Sequence, residues 1–262
     1  MTVRPCPRAR AKLTLGSLAC LFSLCGARQA WAYRPFDGTD ASVAETGTLE
    51  VEAGPSQFYR YGGHSYLVTP AGVLNLGFAR DLEAIVDFSP FVGLEGVPGQ
   101  ARVRLLGSDA LVKWVLCHGV LQGERGLSVA FEGGPLLPDI HGQNRFGAQA
   151  RMIFSYAWPS FAVHFNEQAD LARSGNLALF SGVILEGPRK LTIRPVAELF
   201  VAQELHAGAD YSALLGAIWP LSSALTFDAG ARLAREDGAG AIEARLGLTW
   251  TSTLWSTPET PE

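Results

Sequence analysis

The residue types that carry chemistry are present in this chain, but not at the spacings chemistry requires. Gly63-His64-Ser65-Tyr66-Leu67 comes within one residue of the G-x-S-x-G elbow, in which a strained strand-to-helix turn exposes a nucleophilic serine. Leu67 stands where the last glycine belongs, and the stretch reads as a loop. The five histidines (His64, His118, His141, His164, His206) are scattered, with neither H-x-H nor H-E-x-x-H spacing, so no metal site is expected. Cys117-His118 sets a thiol beside an imidazole, but Trp114 and Leu116 predict apolar surroundings in which a thiol stays unreactive. There is no phosphate-binding loop and no dinucleotide fingerprint. No catalytic residue, metal or cofactor is therefore predicted.

What remains is a set of charges placed at every second position. Ile242, Ala244, Leu246, Leu248 and Trp250 alternate with Glu243, Arg245, Gly247 and Thr249. Leu225, Phe227, Ala229, Ala231 and Leu233 alternate with Thr226, Asp228, Gly230 and Arg232. Phe146, Ala148, Ala150, Met152 and Phe154 alternate with Gly147, Gln149 and Arg151, and His164 shares a face with Asn166. A period of two is that of a strand with one apolar and one polar face. If the apolar face meets lipid, the other lines a lumen. The candidate lining is Asp87, Lys113, Glu132, Arg151, Arg194, Glu198, Asp228, Arg232, Glu243 and Arg245, with Glu50, Glu52 and Asp109 on the same face. Arg232 with Glu243, and Arg194 with Glu198, are the expected partners. Such a lining either steers solutes or packs a small lumen with ion pairs.

The elements that must position these residues are short strands. They are expected near 48–54, 72–79, 83–92, 109–117, 127–134, 146–157, 161–167, 176–186, 191–203, 211–219, 225–234 and 241–250, about twelve in all. Short turns at 80–82, 158–160, 187–190 and 220–224 alternate with longer loops near 55–70, 93–108, 135–145, 168–175 and 204–210. The 118–126 connection should be short on this plan and is not. Short turns at one end and long loops at the other are the plan of a single antiparallel transmembrane β-barrel, an all-β fold. Trp114, Trp158, Trp219 and Trp250 fall toward the short-turn end, as in an aromatic girdle at a membrane interface.

Composition and the N-terminus agree. Hydrophobic residues make up 48% and charged ones 18%, too apolar for a disordered chain. Arg4, Arg8, Arg10 and Lys12 precede an apolar run, Leu13 to Ala27, and the A-x-A site Ala30-Trp31-Ala32. Residues 1–32 thus read as a signal peptide, cleaved after Ala32. The run is about fifteen residues, short of the roughly 20 that span a bilayer as a helix. The remaining chain would carry an excess of nine acids over bases, which disfavours nucleic acid as a partner. It would keep only Cys117, so no internal disulfide is possible.

The residues also resemble a known family. Tyr33-Arg34-Pro35-Phe36-Asp37-Gly38-Thr39-Asp40-Ala41, followed by Glu45-Thr46-Gly47-Thr48-Leu49-Glu50, is similar to the N-terminal segment of small outer-membrane barrels. These are labelled transporters, or proteins of the MetA pathway of phenol degradation. Leu74-Asn75-Leu76-Gly77-Phe78 with Arg80-Asp81-Leu82-Glu83, Gly107-Ser108-Asp109 into Leu111-Val112-Lys113-Trp114, Arg194 to Leu199, and Leu215 to Ser222 resemble successive strands. The resemblance implies a passive outer-membrane channel of a Gram-negative cell for small solutes, aromatic or hydrophobic ones among them. Its partners would be the lipid bilayer, the outer-membrane assembly machinery and a small-molecule solute. One departure is that such barrels commonly end on an aromatic residue, whereas a polar tail, 251–262, follows Trp250 here. Two alternatives stay open: a soluble periplasmic β-barrel or sandwich that binds a small ligand, and an outer-membrane lipid-modifying enzyme. The enzyme would need a Ser–His pair at the membrane level, and the sequence shows none.

Overall fold

Residues 35–96 and 99–256 are described by the structure, a computed structural model; the expected signal peptide lies outside them. Thirteen strands form one antiparallel sheet: β1 (Thr48–Tyr61), β2 (His64–Val68), β3 (Ala71–Ala79), β4 (Leu82–Gly93), β5 (Val103–Cys117), β6 (Ser128–Leu136), β7 (Gly147–Ala157), β8 (Ala162–Leu171), β9 (Leu177–Glu186), β10 (Arg194–Glu204), β11 (Ala209–Pro220), β12 (Leu225–Glu236) and β13 (Ala239–Thr253). β13 also pairs with β1, Thr253 opposite Thr48 and Ala241 opposite Tyr61, so the sheet closes into a barrel without free edges. β2 and β3 fill one place in the ring. β1 pairs with β3 over Leu49–Gly54 and with β2 over Gln57–Tyr61, and β4 follows both on the other side. The barrel thus has twelve strand positions, with one extra segment. The interruption falls at Thr69-Pro70, where proline has no N–H for a ladder.

Two sequence expectations are corrected. The 55–70 stretch is not a loop: β1 continues through it to Tyr61 and turns at Gly62-Gly63. Gly54-Pro55 and the polar residues after it conceal the strand, and the ladder passes them by a register shift between Ala53 and Ser56. Gly62 and Gly63 both take positive φ, 57° and 86°, which suits a tight hairpin and favours glycine. β5 likewise starts at Val103, within a stretch read as loop. Secondly, connection length does not alternate by end. Residues 118–127 hold a 3₁₀ turn, Val120–Gln122, and rival the 137–146 loop. β13 also runs three residues past Trp250, so the tail begins later than expected.

The burial pattern is that of a soluble protein turned inside out. Leu215 is 71% exposed on the outer wall, with Leu233, Leu199 and Ile242 also exposed, while Lys113, Glu198 and Glu243 are 1% exposed inside. An apolar wall of this extent far exceeds the patches a soluble monomer shows, and hydrocarbon is the solvent it suits. Among the described residues no helix is long and apolar enough to cross a membrane, a finding that does not bear on strands.

Candidate functional site

The lumen holds a ligand of the chain's own making. Residues 35–46 enter from the end where β1 begins and cross the interior. Pro35 lies over Gly216 and Gly230, which face each other on β11 and β12. A Cβ at either would come within about 3 Å of the proline ring. The backbone N–H groups of Asp37 and Gly38 donate to the Glu198 carboxylate at 2.9 and 2.7 Å. Thr39 donates its N–H to Asn166 Oδ1 (3.1 Å) and accepts from Asn166 Nδ2 (2.9 Å). Ala41 N–H donates to Ser155 Oγ (2.9 Å), and its carbonyl accepts from Gln122 Nε2 (2.8 Å). Ala44 N–H reaches Glu83. Ala41 packs on Ala130 and Ile153 in a fully buried apolar contact. The segment is therefore suspended by polar groups from β4, β7, β8 and β10. The backbone donors of Asp37, Gly38, Thr39, Ala41 and Ala44 are thus satisfied as burial requires.

Two of its side chains are held by cations. Arg245 Nη2 bonds both oxygens of Asp37, at 2.9 and 3.1 Å, and Nη1 donates to the Pro35 carbonyl (2.7 Å). Lys113 Nζ donates to Thr39 Oγ1 at 3.0 Å, from a place between Glu83 and Glu132 on the neighbouring strands. Burial works to raise the pKa of Asp37, but the Arg245 guanidinium, with Arg232 behind it, more than cancels this. The carboxyl is held below the usual aspartate range.

On the far side of this plug the lumen is lined differently. Arg232 pairs with Glu243 and with Glu236 (3.0 Å), and lies over the rings of Tyr59 and Phe200 at 6.0 and 5.9 Å. Arg151 pairs with Glu132 (3.2 Å), donates to Gln168 (2.6 Å) and lies over Phe180 at 5.9 Å. The rings of Phe180 and Phe200 are 5.0 Å apart. Tyr59 O–H donates to Glu236. Asp87 and Asp109 lie directly opposite each other on β4 and β5.

All ten candidate lining residues fall on inward positions. Glu198, Lys113 and Arg245 meet the plug, Arg151, Glu132, Arg232, Glu243 and Asp87 line the upper lumen or its border, and Asp228 and Arg194 sit lower in the wall. Asp228 leans across Gly247 of the next strand, where a Cβ would collide with its carboxylate. The Arg232–Glu243 pair is present as expected, but Arg194 does not pair with Glu198. It meets Glu186 at 3.2 Å, leaving Glu198 to the plug. Alternation could not reveal the contributions of Ser155, Asn166, Glu83 and Gln122, because their partner lies outside the sheet.

The expectation of no Ser–His pair is also corrected. Ser155 Oγ is 2.8 Å from His164 Nδ1, and His164 Nε2 is 3.6 Å from Glu186. The composition is that of a catalytic triad, but the wiring is not. Ser155 already accepts the Ala41 N–H, and Ser155 is fully buried and His164 nearly so. Ser155 anchors the plug, and His164 and Glu186 stand behind it.

Trp114, Trp158 and Trp219 are exposed at 52%, 46% and 43%, while Trp250 is half-buried. Trp114 lies opposite Leu82, Trp219 opposite Phe227 and Trp250 opposite Leu225, so these three stand close to the turns on the end where the plug enters. Trp158 is in such a turn and stacks on Phe161 at 4.5 Å.

No protein family model and no curated protein matches this sequence. Solved structures do. An outer membrane channel from Pseudomonas putida F1 is similar over 83% of this chain and 100% of its own, with TM-score 0.58 and 10% identity. The NanC porin is similar over 77% and 98%, with TM-score 0.56 and 7% identity. The KdgM porin, in complex with disordered oligogalacturonate, is similar over 77% and 98%, with TM-score 0.53 and 8% identity. At these identities the likeness establishes the fold, a closed antiparallel barrel shared with outer-membrane channels.

Proposed function

We propose that this protein is an outer-membrane channel that passes small solutes passively and is closed at rest by its own N-terminal segment. The observation that carries the reading is the plug's mode of attachment. It is held by polar contacts across a polar lumen rather than by an apolar core, and such contacts exchange with water at modest net cost. The fold it shares with channels and porins, and the apolar outer wall, support a place in the outer membrane. The solved structures that share the fold are channels and porins, which supports a non-enzymatic role. The MetA-pathway resemblance and an aromatic solute are favoured by Tyr59, Phe180 and Phe200. These present ring faces to the upper lumen, where a planar solute can stack between them and the arginines. With the arginines paired and Asp87 opposite Asp109, the open lumen should select weakly for cations.

Planar-bilayer recording tests this. Wild-type protein should show small conductance. Asp37→Ala with Glu198→Gln, which cuts three of the plug's anchors, should raise it several-fold and keep the reversal potential on the cation side. Equal conductance in the two proteins would refute plug gating.

A further inference from the structure

We infer that the outer wall over β11, β12, β13 and β1 is a binding site for the phosphorylated glycolipid of the outer leaflet, with a clamp for a phosphate above and a groove for an acyl chain below. The inference uses nothing in the lumen. It rests on the outer-membrane reading in one respect: the end away from the plug must lie in the outer leaflet.

The clamp is Arg60 with Arg235, each next to last in its strand at the end away from the plug. Arg60 lies opposite Ile242, and Arg235 lies opposite Tyr211 on one side and Gly240 on the other. Ile242 and Tyr211 are 55% and 56% exposed on the outer wall, so both arginines share that face, and both are exposed. Only β13 separates their strands, which places the two backbones about 10 Å apart. Gly240 leaves the space between them open, since nothing lies within 4 Å of where its Cβ would be. The inward arginines of β12 and β13, Arg232 and Arg245, both pair with Glu243. Among the described residues neither Arg60 nor Arg235 has a carboxylate in ion-pair contact. Glu95 stands beyond Ser65, the residue opposite Arg60 on β2, and accepts the Ser65 N–H instead (2.8 Å). Two guanidinium forks without an anion, at the edge of an apolar wall, match a lipid phosphate in charge and in geometry.

The groove lies directly beneath. It is a cavity of about 520 Å³ bordered on the outer face by Ser56, Phe58, Ala217, Ala229, Ala244 and Leu246. The three alanines keep it open where Leu215, Leu233 and Leu199 fill the wall around it. Phe58 is two residues below Arg60, and Ala229 is six below Arg235. At about 3.3 Å per residue along a tilted strand, the groove runs from just below the clamp through roughly one leaflet, half of a core of about 30 Å. A headgroup phosphate held by the arginines would hang its acyl chain there. Charge selects the head and shape the chain, so a lipid without phosphate, or a phosphate without a chain, uses half of the site.

Native mass spectrometry of the full chain in detergent tests this, with diphosphoryl lipid A as the probe. One retained lipid A per barrel is expected. Arg60→Gln with Arg235→Gln should weaken retention about tenfold or more, since charge-assisted hydrogen bonds are lost. Ala229→Phe, which fills the groove and leaves both arginines, should weaken it too. If the arginine variant fails to fold, as a heat-modifiable gel shift would show, dephosphorylated lipid A on wild type makes the same comparison and should be lost. Unchanged retention in the arginine variant or of the dephosphorylated lipid would overturn the inference. So would unchanged retention in Ala229→Phe, equal retention of phosphatidylglycerol, or displacement of lipid A by equimolar inorganic phosphate. No conductance is read, so a barrel that retains lipid A but stays electrically silent would refute the channel reading and leave this one standing.

Discussion

Asp37 is the residue at which the plug's charge chemistry is most exposed to test. Its carboxyl is held below the ordinary range because Arg245 outweighs burial. A carboxyl whose pKa is lowered in the docked state contributes to docking above its undocked pKa, near about 4. That contribution is lost as pH falls from there through the docked value. The Asp37 contribution to plug-limited conductance should therefore appear as a rise in acid below about pH 4. Asp37→Asn should conduct more at neutral pH and lack the acid step; an acid step of the same size in the variant would show that another group controls release. The opposite partner is harder to interpret. Arg245→Ala would take one of two arginines from the buried Glu243 as well as the partner of Asp37, so barrel stability would fall along with plug docking. At this scale the sequence was half legible. That Arg245, Glu198 and Lys113 point inward follows from their alternation with apolar neighbours. Their partners do not, because Asp37 and Glu198 are 161 positions apart and no local pattern couples them.

Strands were the most legible elements, and for a physical reason: lipid outside and a polar interior impose opposite demands on successive residues, so each strand carries its own orientation in its sequence. The signal failed where the outer wall ends. Beyond it, Gly54-Pro55 and the polar residues toward Tyr61 no longer need an apolar face, so β1 continues unseen. The same holds for the first turn of β5, Val103 to Ser108. The alternation makes a direct prediction. Leu246 is exposed on the outer wall at mid-strand, opposite Ala229, so Leu246→Arg should cost about 2–4 kcal/mol in a refolding assay in lipid. Ala234→Arg, on an inward and partly open position of β12, should cost far less. Thr249→Arg is not the tolerant control its inward position suggests. Thr249 is fully buried between Thr226 and Glu52, and an arginine there would overpack the wall. Equal losses at Leu246 and Ala234 would mean that the two faces are misassigned.

For the whole molecule, orientation follows from where the ends of the chain meet. Thr48 of β1 and Thr253 of β13 pair at one end, because an even number of strand positions returns the chain to its starting side. The plug enters at that end, and the tryptophan ring lies near it. An exported chain inserts its hairpins from the periplasmic side and leaves its ends there, so this end should face the periplasm and the opposite one the exterior. Loop length does not support it, since 118–127 is as long a connection as 137–146 on the far side. Strand length does: at the end away from the plug β5 runs on to Val103, past Asp109 where β6 ends at Leu136, as strands of outer-membrane barrels do where they rise above the bilayer. A peptide tag after Gln143, in the exposed stretch of the 137–146 loop, should bind antibody on intact cells. One after Ser222, in the exposed turn between β11 and β12, should bind only after the outer membrane is opened. The reverse pattern would place the plug on the outer surface. It would then close the barrel against the medium and not against the periplasm.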